Sequence, residues 1–264
     1  MSAIVKEIAL ITGANSGIGF EIAHQLLAKG TYHVLLGSRS TQKGSAALQE
    51  LQSRNLSGVI ELVHLDVQSD EHISEVATFI TQKHGKLDIL INNAAVAIPE
   101  GATERERLQT AFNVNATGPY LLTKALIPLL RKSTNPRIVN ISSGAGSIGR
   151  RLFAESPMYR IQGVSYRTSK VAFNMITACL HVEFGLGIEQ SDGEKIDGEE
   201  AKGKAMKVFC YDPGFTVSNL GPHNKKEFGA RSAEETVVSI MEVIEGKRDE
   251  DVGKFIHNSG GYPW

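Results

Sequence analysis

At 264 residues and a formal net charge of −1, the chain is long enough for a sizeable α/β core and carries no basic footprint for nucleic acid. Hydrophobic residues at 41% and charged residues at 22% exclude a largely disordered chain. No apolar run reaches the ~18 residues of a membrane span. Only Cys179 and Cys210 occur, both in apolar runs, and they read as buried free thiols with no metal-ligand spacing. A soluble cytoplasmic protein without metal, membrane or nucleic-acid partner is expected.

The β-branched run Glu7–Thr12 reads as a buried strand, and Phe20–Lys29 as a helix stopped by Gly30. Strand His33–Ser38, helix Gln42–Gln52, strand Ile60–Leu65, helix Asp70–His84 and strand Leu87–Asn92 follow. Two helices, Glu104–Val114 and Gly118–Arg131, precede strand Arg137–Ser142. The long helix Ser165–Phe184, strand Lys207–Tyr211, helix Ser232–Glu245 and short strand Lys254–Ile256 complete the series. Apolar strands alternating with helices predict one Rossmann-type domain, a doubly wound parallel sheet of about seven strands with helices on both faces. Glu189–Lys204 has almost nothing to bury and reads as a solvated insertion.

Thr12-Gly13-Ala14-Asn15-Ser16-Gly17-Ile18-Gly19 joins the first strand to the first helix. Glycines allow a tight turn, and free N–H groups at a helix start attract a pyrophosphate, so this βαβ unit predicts dinucleotide binding. Strand two ends at Ser38-Arg39 with no acid for the ribose hydroxyls. Arg39 is placed either to clamp a 2′-phosphate, favouring NADP(H), or as a surface arginine opening a loop. Asp66-Val67 ends strand three, where the acid can reach an adenine amino group or cap the next helix. Asn92-Asn93-Ala94-Ala95 ends strand four and suits a backbone turning beside a ribose.

Tyr166 and Lys170 share one face of the long helix. A fixed ammonium favours the phenolate, and lowering a tyrosine from ~10 by ~3 units needs about 4 kcal/mol. Such a phenol would exchange protons at neutral pH. Tyr120 and Lys124 repeat the spacing on another apolar helix, so spacing alone does not choose between them.

Taken in order, Gly13/Gly17/Gly19, Asp66, Asn92-Asn93-Ala94, Asn115, Ser143, Tyr166/Lys170 and Pro213-Gly214 resemble the short-chain dehydrogenase/reductase family across essentially the whole chain, and most of all its carbonyl-reductase branch. The resemblance implies an NADP(H)-dependent oxidoreductase that interconverts a ketone or aldehyde and an alcohol. It implies Tyr166 as the proton donor, Lys170 as its acidifier and ribose ligand, and Ser143 as hydrogen-bond donor to the substrate oxygen. Asn115 would hold a water in a proton relay. Pro213-Gly214 with Thr216 and Ser218 would close over the nicotinamide. Tyr120 then falls on a helix that packs on the sheet, and relatives often pair as homodimers or homotetramers through their long helices. An epimerase or dehydratase on the same site, and a non-catalytic NADP(H)-binding sensor or scaffold, remain open.

Two departures from the family pattern stand out. Ala95 replaces the glycine usual after Asn-Asn-Ala, and the interval from Ser143 to Tyr166 is longer than is commonest. The added segment, Arg150–Gly163, carries Arg150, Arg151, Phe153, Met158, Tyr159 and Arg160. It reads equally as a pocket wall for a bulky or acidic substrate or as a surface loop with solvated arginines. Residues 144–165 and 219–230 are expected to face substrate, the latter as a lid. Ser142 and Ser147 stay as alternatives to Ser143. The tail carries the sole tryptophan, Trp264, read as packing on its own domain.

Overall fold

Alternate residues of a strand point to opposite faces, so a run that is apolar at every position buries both. Such runs organise the computed structural model, which describes residues 6–160, 162–186 and 205–264. The elements run β1 (Glu7–Ile11), α1 (Gly17–Lys29), β2 (Tyr32–Ser38), α2 (Thr41–Ser53), β3 (Val59–His64), α3 (Asp70–Lys83) and β4 (Ile89–Asn92). There follow α4 (Glu104–Phe112), α5 (Gly118–Leu130), β5 (Arg137–Ile141), α6 (Ile148–Leu152), α7 (Val164–Leu180), β6 (Lys207–Asp212), α8 (Ala233–Ile244), β7 (Phe255–His257) and β8 (Gly260–Gly261).

The strands form one sheet in the order β3-β2-β1-β4-β5-β6-β7-β8. All pairings are parallel except the last, where β8 returns antiparallel to β7. On β1, Ala9 and Ile11 join a layer with Ile22 and Leu26 of α1 and Val237 and Ile240 of α8. Ile8 and Leu10 face the other way, toward Val76 and Ile80 of α3 and Leu122 and Leu126 of α5. The chain winds outward from β1 on one side and from β4 on the other. This reversal opens a crevice at the carboxyl ends of β1 and β4, where doubly wound folds place their ligands.

The structure adds β8 to the seven expected strands; its two glycines carry no apolar signal. The helices Glu104–Val114 and Gly118–Arg131 are joined by a π-helical turn, Asn113–Thr117, and α7 runs into another, His181–Gly185. Helix α3 is capped by Ser69, whose hydroxyl accepts from the His72 N–H at 3.2 Å. Asp66 is therefore not its cap, and accepts instead from the Gln68 N–H at 3.0 Å. Cys210 is buried on β6 as expected, but Cys179 is exposed on α7. An apolar neighbourhood in sequence does not choose the inward face of a helix; the 3.6-residue period does. The insertion expected at Glu189–Lys204 lies outside the described residues.

Candidate active site

The crevice begins with the turn between β1 and α1. Thr12 closes it from below, its hydroxyl accepting from the N–H groups of Asn93 and Ala94, each at 2.9 Å. Asn93 returns its amide to the carbonyls of Thr12 at 2.9 Å and Gly13 at 3.2 Å. These bonds fasten the end of β4 to the glycine turn. Gly17 sits at φ 58, a left-handed conformation that disfavours any side chain. A Cβ on Gly19 would stand 2.5 Å from the Asn93 amide and 2.7 Å from the Gly13 carbonyl, so only glycine fits. Ser16 precedes α1 in extended conformation without a side-chain cap, leaving the first N–H groups of that helix available to an anion.

Ser38, at the end of β2, donates to the Ser40 carbonyl at 2.9 Å and reaches Asn15 at 3.3 Å. It is fully buried, and it positions Asn15 and the turn rather than presenting a free hydroxyl. Arg39 beside it is exposed. Asp66 and Val67 lie just past the end of the neighbouring β3. Asp66, Asn93, Ala94 and the glycine turn therefore gather at one end of the sheet.

The second half of the crevice is built from β5, β6 and α7. Lys170 is 2% exposed and donates to the Ile141 carbonyl at 2.9 Å. Its ammonium lies 5.9 Å from the centre of the Tyr166 ring. Burial pushes that ammonium down to about 8, against the pull of Cys210 and Asp212. Tyr166 is partly exposed as a residue, yet desolvation around its hydroxyl pushes the phenol up to about 12. A hydrogen bond with the Ser143 side chain works the other way, and the Asp212 carboxylate adds to the rise. Lys170, which directs its ammonium to a backbone carbonyl, is not among the groups that act on the phenol, and burial holds the phenol above rather than below its ordinary value.

Among the three serines, Ser143 is the one whose side chain acts on the Tyr166 phenol. Ser142 donates to Asn174, and Ser147 donates to the Pro263 carbonyl at 2.7 Å while capping α6. Asn115 is fully buried in the π turn. It accepts from the Val96 N–H and donates to the Val96 carbonyl, both at 2.8 Å, and to Ser169 at 2.9 Å. Tyr120 and Lys124 lie elsewhere: Tyr120 packs against the α3–α5 layer, and Lys124 pairs with Glu183 at 2.7 Å.

Gly214, at φ 73, donates its N–H to Asp212 at 2.9 Å, and Arg231 holds the Pro213 carbonyl at 2.8 Å. Thr216 is buried and turns its hydroxyl to Thr236 at 3.0 Å. Ser218 comes against the glycine turn, its Cβ 3.2 Å from where a Cβ on Gly17 would stand.

Sequence reasoning did not single out Asp212, which is 5% exposed and acts electrostatically on both Tyr166 and Lys170. An acid at the carboxyl end of a parallel strand, directly before Pro213, was the available signal. Arg150 approaches Asp212 to 3.9 Å and lies over the Tyr262 ring at 4.1 Å. Tyr262 stacks on His257 and Trp264 stacks on Phe255, so the tail folds back beside the site. Arg151 binds the carbonyl of Tyr159. The added segment therefore splits: Arg150 points to the site, while Arg151 braces its own loop. A cavity of about 220 Å³ separates α6 from α7, lined by Ile148, Arg151, Leu152, Val164 and Arg167 but by none of Ser143, Tyr166 or Lys170.

The fold and this crevice define a nucleotide-dependent oxidoreductase class, and the comparisons give the family. The model of the short chain dehydrogenase family matches residues 7–188. The chain belongs to the short-chain dehydrogenase family of oxidoreductases. It is 35% identical to the short-chain dehydrogenase anuI of Penicillium roqueforti, over 97% of this chain and 96% of that protein. It is 32% identical to a short-chain dehydrogenase/reductase of Aspergillus fumigatus, over 98% of each. Among solved structures, the NADPH-bound carbonyl reductase from chicken fatty liver is similar with a TM-score of 0.78 and 25% identity, over 98% of this chain and 100% of that one. Among the described residues, no helix is long and apolar enough to cross a membrane.

Proposed function

We propose that the chain is a cytoplasmic, single-domain NADP(H)-dependent reductase of a ketone or aldehyde. The observation that carries this is buried Lys170 5.9 Å from the Tyr166 ring centre, with the Ser143 side chain acting on the same phenol, at the sheet end that also holds the glycine turn. When bound, the nicotinamide would supply the hydride to the carbonyl carbon. Tyr166 donates its proton to the carbonyl oxygen, and Ser143 hydrogen-bonds that oxygen as negative charge develops. The Asn15–Gly19 turn holds the pyrophosphate, and Asp66, Asn93 and Ala94 flank the adenosine half. Lys170 would bind the nicotinamide ribose, and Asn115 would hold a water that links Lys170 to solvent as a proton relay. The backbone of Pro213, Gly214 and Thr216, with Ser218, covers the nicotinamide.

Exposed Leu152 and Phe153 on the segment 144–165, Phe228 on 219–230, and Phe215 shortly before the latter rim the substrate side, which suits a bulky or aromatic carbonyl compound. Exposed Leu121, Met175 and Val182 on the outer helices suit self-association as a homodimer or homotetramer. The test is a screen of carbonyl compounds, aromatic and polyketide-like ketones included, for NADPH oxidation with product identification. A product alcohol formed one for one with NADP+ supports a reductase. An isomer or dehydrated product with no net cofactor change supports an epimerase or dehydratase instead.

Cofactor choice is assigned to Arg39, the exposed cation at the end of β2 where an acid would otherwise select NADH. Arg39→Ala is expected to weaken NADPH about 10- to 100-fold, the worth of one charge-assisted contact, and to leave NADH almost unchanged. Fluorescence titration of both cofactors checks it; equal losses would remove the phosphate role.

A further inference from the structure

At the opposite end of the sheet from Tyr166, three side chains from three elements converge. His33 lies in the first half of β2, and Glu61 on β3 pairs with Leu35, two positions further along, so both project from the same face. His84 follows the end of α3 on that face. The His33 Nε2 stands 2.7 Å and the His84 Nε2 3.9 Å from one and the same Glu61 oxygen. Both imidazole nitrogens are buried, yet neither makes a hydrogen bond with acceptable geometry. The donor atoms of all three residues lie within 4.8 Å of one another.

We propose that His33, Glu61 and His84 form a binding site for a divalent transition-metal ion of the Zn²⁺ type, which clamps the β2–β3 edge to the end of α3. Two imidazoles and a carboxylate, with water as fourth ligand, are a donor set suited to zinc. Shifts of about 1 Å in the side chains would bring these atoms to the ~2.0–2.2 Å bonds zinc requires. A ring nitrogen that misses its carboxylate neighbour as a hydrogen-bond donor is free to direct its lone pair at an ion beside that carboxylate. The His84 ring is already oriented, edge-on to His33 at 4.9 Å and to Phe79 at 5.7 Å.

Lys83 occupies the second Glu61 oxygen and competes with the ion for the carboxylate charge. The ligands come from separate elements, so no local spacing announces them in the sequence. The site is structural, because Tyr166 and Ser143 belong to the carboxyl ends of the strands and these residues do not.

Calorimetric titration of Zn²⁺ into the chelator-treated full chain tests the proposal. It predicts one site per chain, weakened about tenfold or more in Glu61→Gln and in His84→Ala. His64→Ala, which breaks the separate His64–His72 ring contact, should leave it unchanged. Lys83→Ala should tighten binding, whereas a cluster serving only as an ion pair would gain no metal affinity from losing its lysine. Should the ligand variants fold poorly, Co²⁺ added to the unaltered chain gives an independent readout. The proposal predicts strong visible d–d absorption, displaced by one equivalent of Zn²⁺, and a thermal midpoint that rises with Zn²⁺ concentration. Absence of a stoichiometric site, or one that persists unchanged in both ligand variants, would overturn it.

Discussion

Tyr166→Phe is expected to lower turnover about 10²- to 10⁴-fold, the usual contribution of a positioned general acid, with NADPH affinity nearly unchanged. The substitution removes one oxygen and keeps the ring, so the packing at the start of α7 survives. On the proposed mechanism the carbonyl oxygen would lose its proton source. The phenol at about 12 stays protonated throughout the neutral range. Reduction should therefore hold up to alkaline pH and fall only as the phenol ionises, while alcohol oxidation, which needs the phenolate, rises with pH. Steady-state rates in both directions, with a cofactor titration of the variant, check this. Tyr120→Phe is the control. Tyr120 packs in the layer beneath the sheet and its lysine is committed to Glu183, so turnover should be spared. Loss of turnover in that variant with retention in Tyr166→Phe would reverse the assignment.

Lys170→Met should separate stability from catalysis. Burial lowers the ammonium from 10.5 to about 8, so the folded chain binds this proton less tightly than the unfolded chain does. The sign follows: the penalty is fully present below about pH 8 and is relieved as pH rises from there to the unfolded value. A shift of that size corresponds to on the order of 3 kcal/mol across the window. The stability of the parent relative to Lys170→Met should rise by about that amount between neutral and strongly alkaline pH. Tyr166 acts in the opposite direction, since the folded chain keeps its proton from 10 to about 12 when the unfolded chain has released it. It is common to both proteins and cancels in the difference. Urea midpoints at a series of pH values read the effect, and a difference that stays flat would show that the lysine is not a strained buried charge. Turnover should collapse in the variant, leaving a site that gives up stability for function.

The glycine turn, the strand ends and the Tyr166–Lys170 face were legible because each depends on local spacing. Gly17 meets its constraint locally through its backbone angle, and the sheet's two-sided burial is written in residues 8–11 of β1. The destination of the Lys170 ammonium was not legible. Ile141 reaches it only because α7 packs across the end of β5, a contact far apart in sequence. Asp212 was passed over for the related reason that its effect depends on what β6 lies beside. The tail was read as packing on its own domain, and Trp264 does stack on Phe255. That β7 and β8 return Tyr262 to Arg150 had no periodic signature. The π turns hid likewise, since each spans only five residues, too few for a period to show. His33, Glu61 and His84 are the extreme case, with three elements and no motif.

A single turnover with NADPH carrying deuterium at the transferable C4 position tests the central claim most directly. The account predicts one deuterium on the carbinol carbon of the product, formed rapidly by the parent chain and at least about 10²-fold more slowly by Tyr166→Phe loaded equally with cofactor. An alcohol without the label, or equal rates in the two proteins, would contradict it.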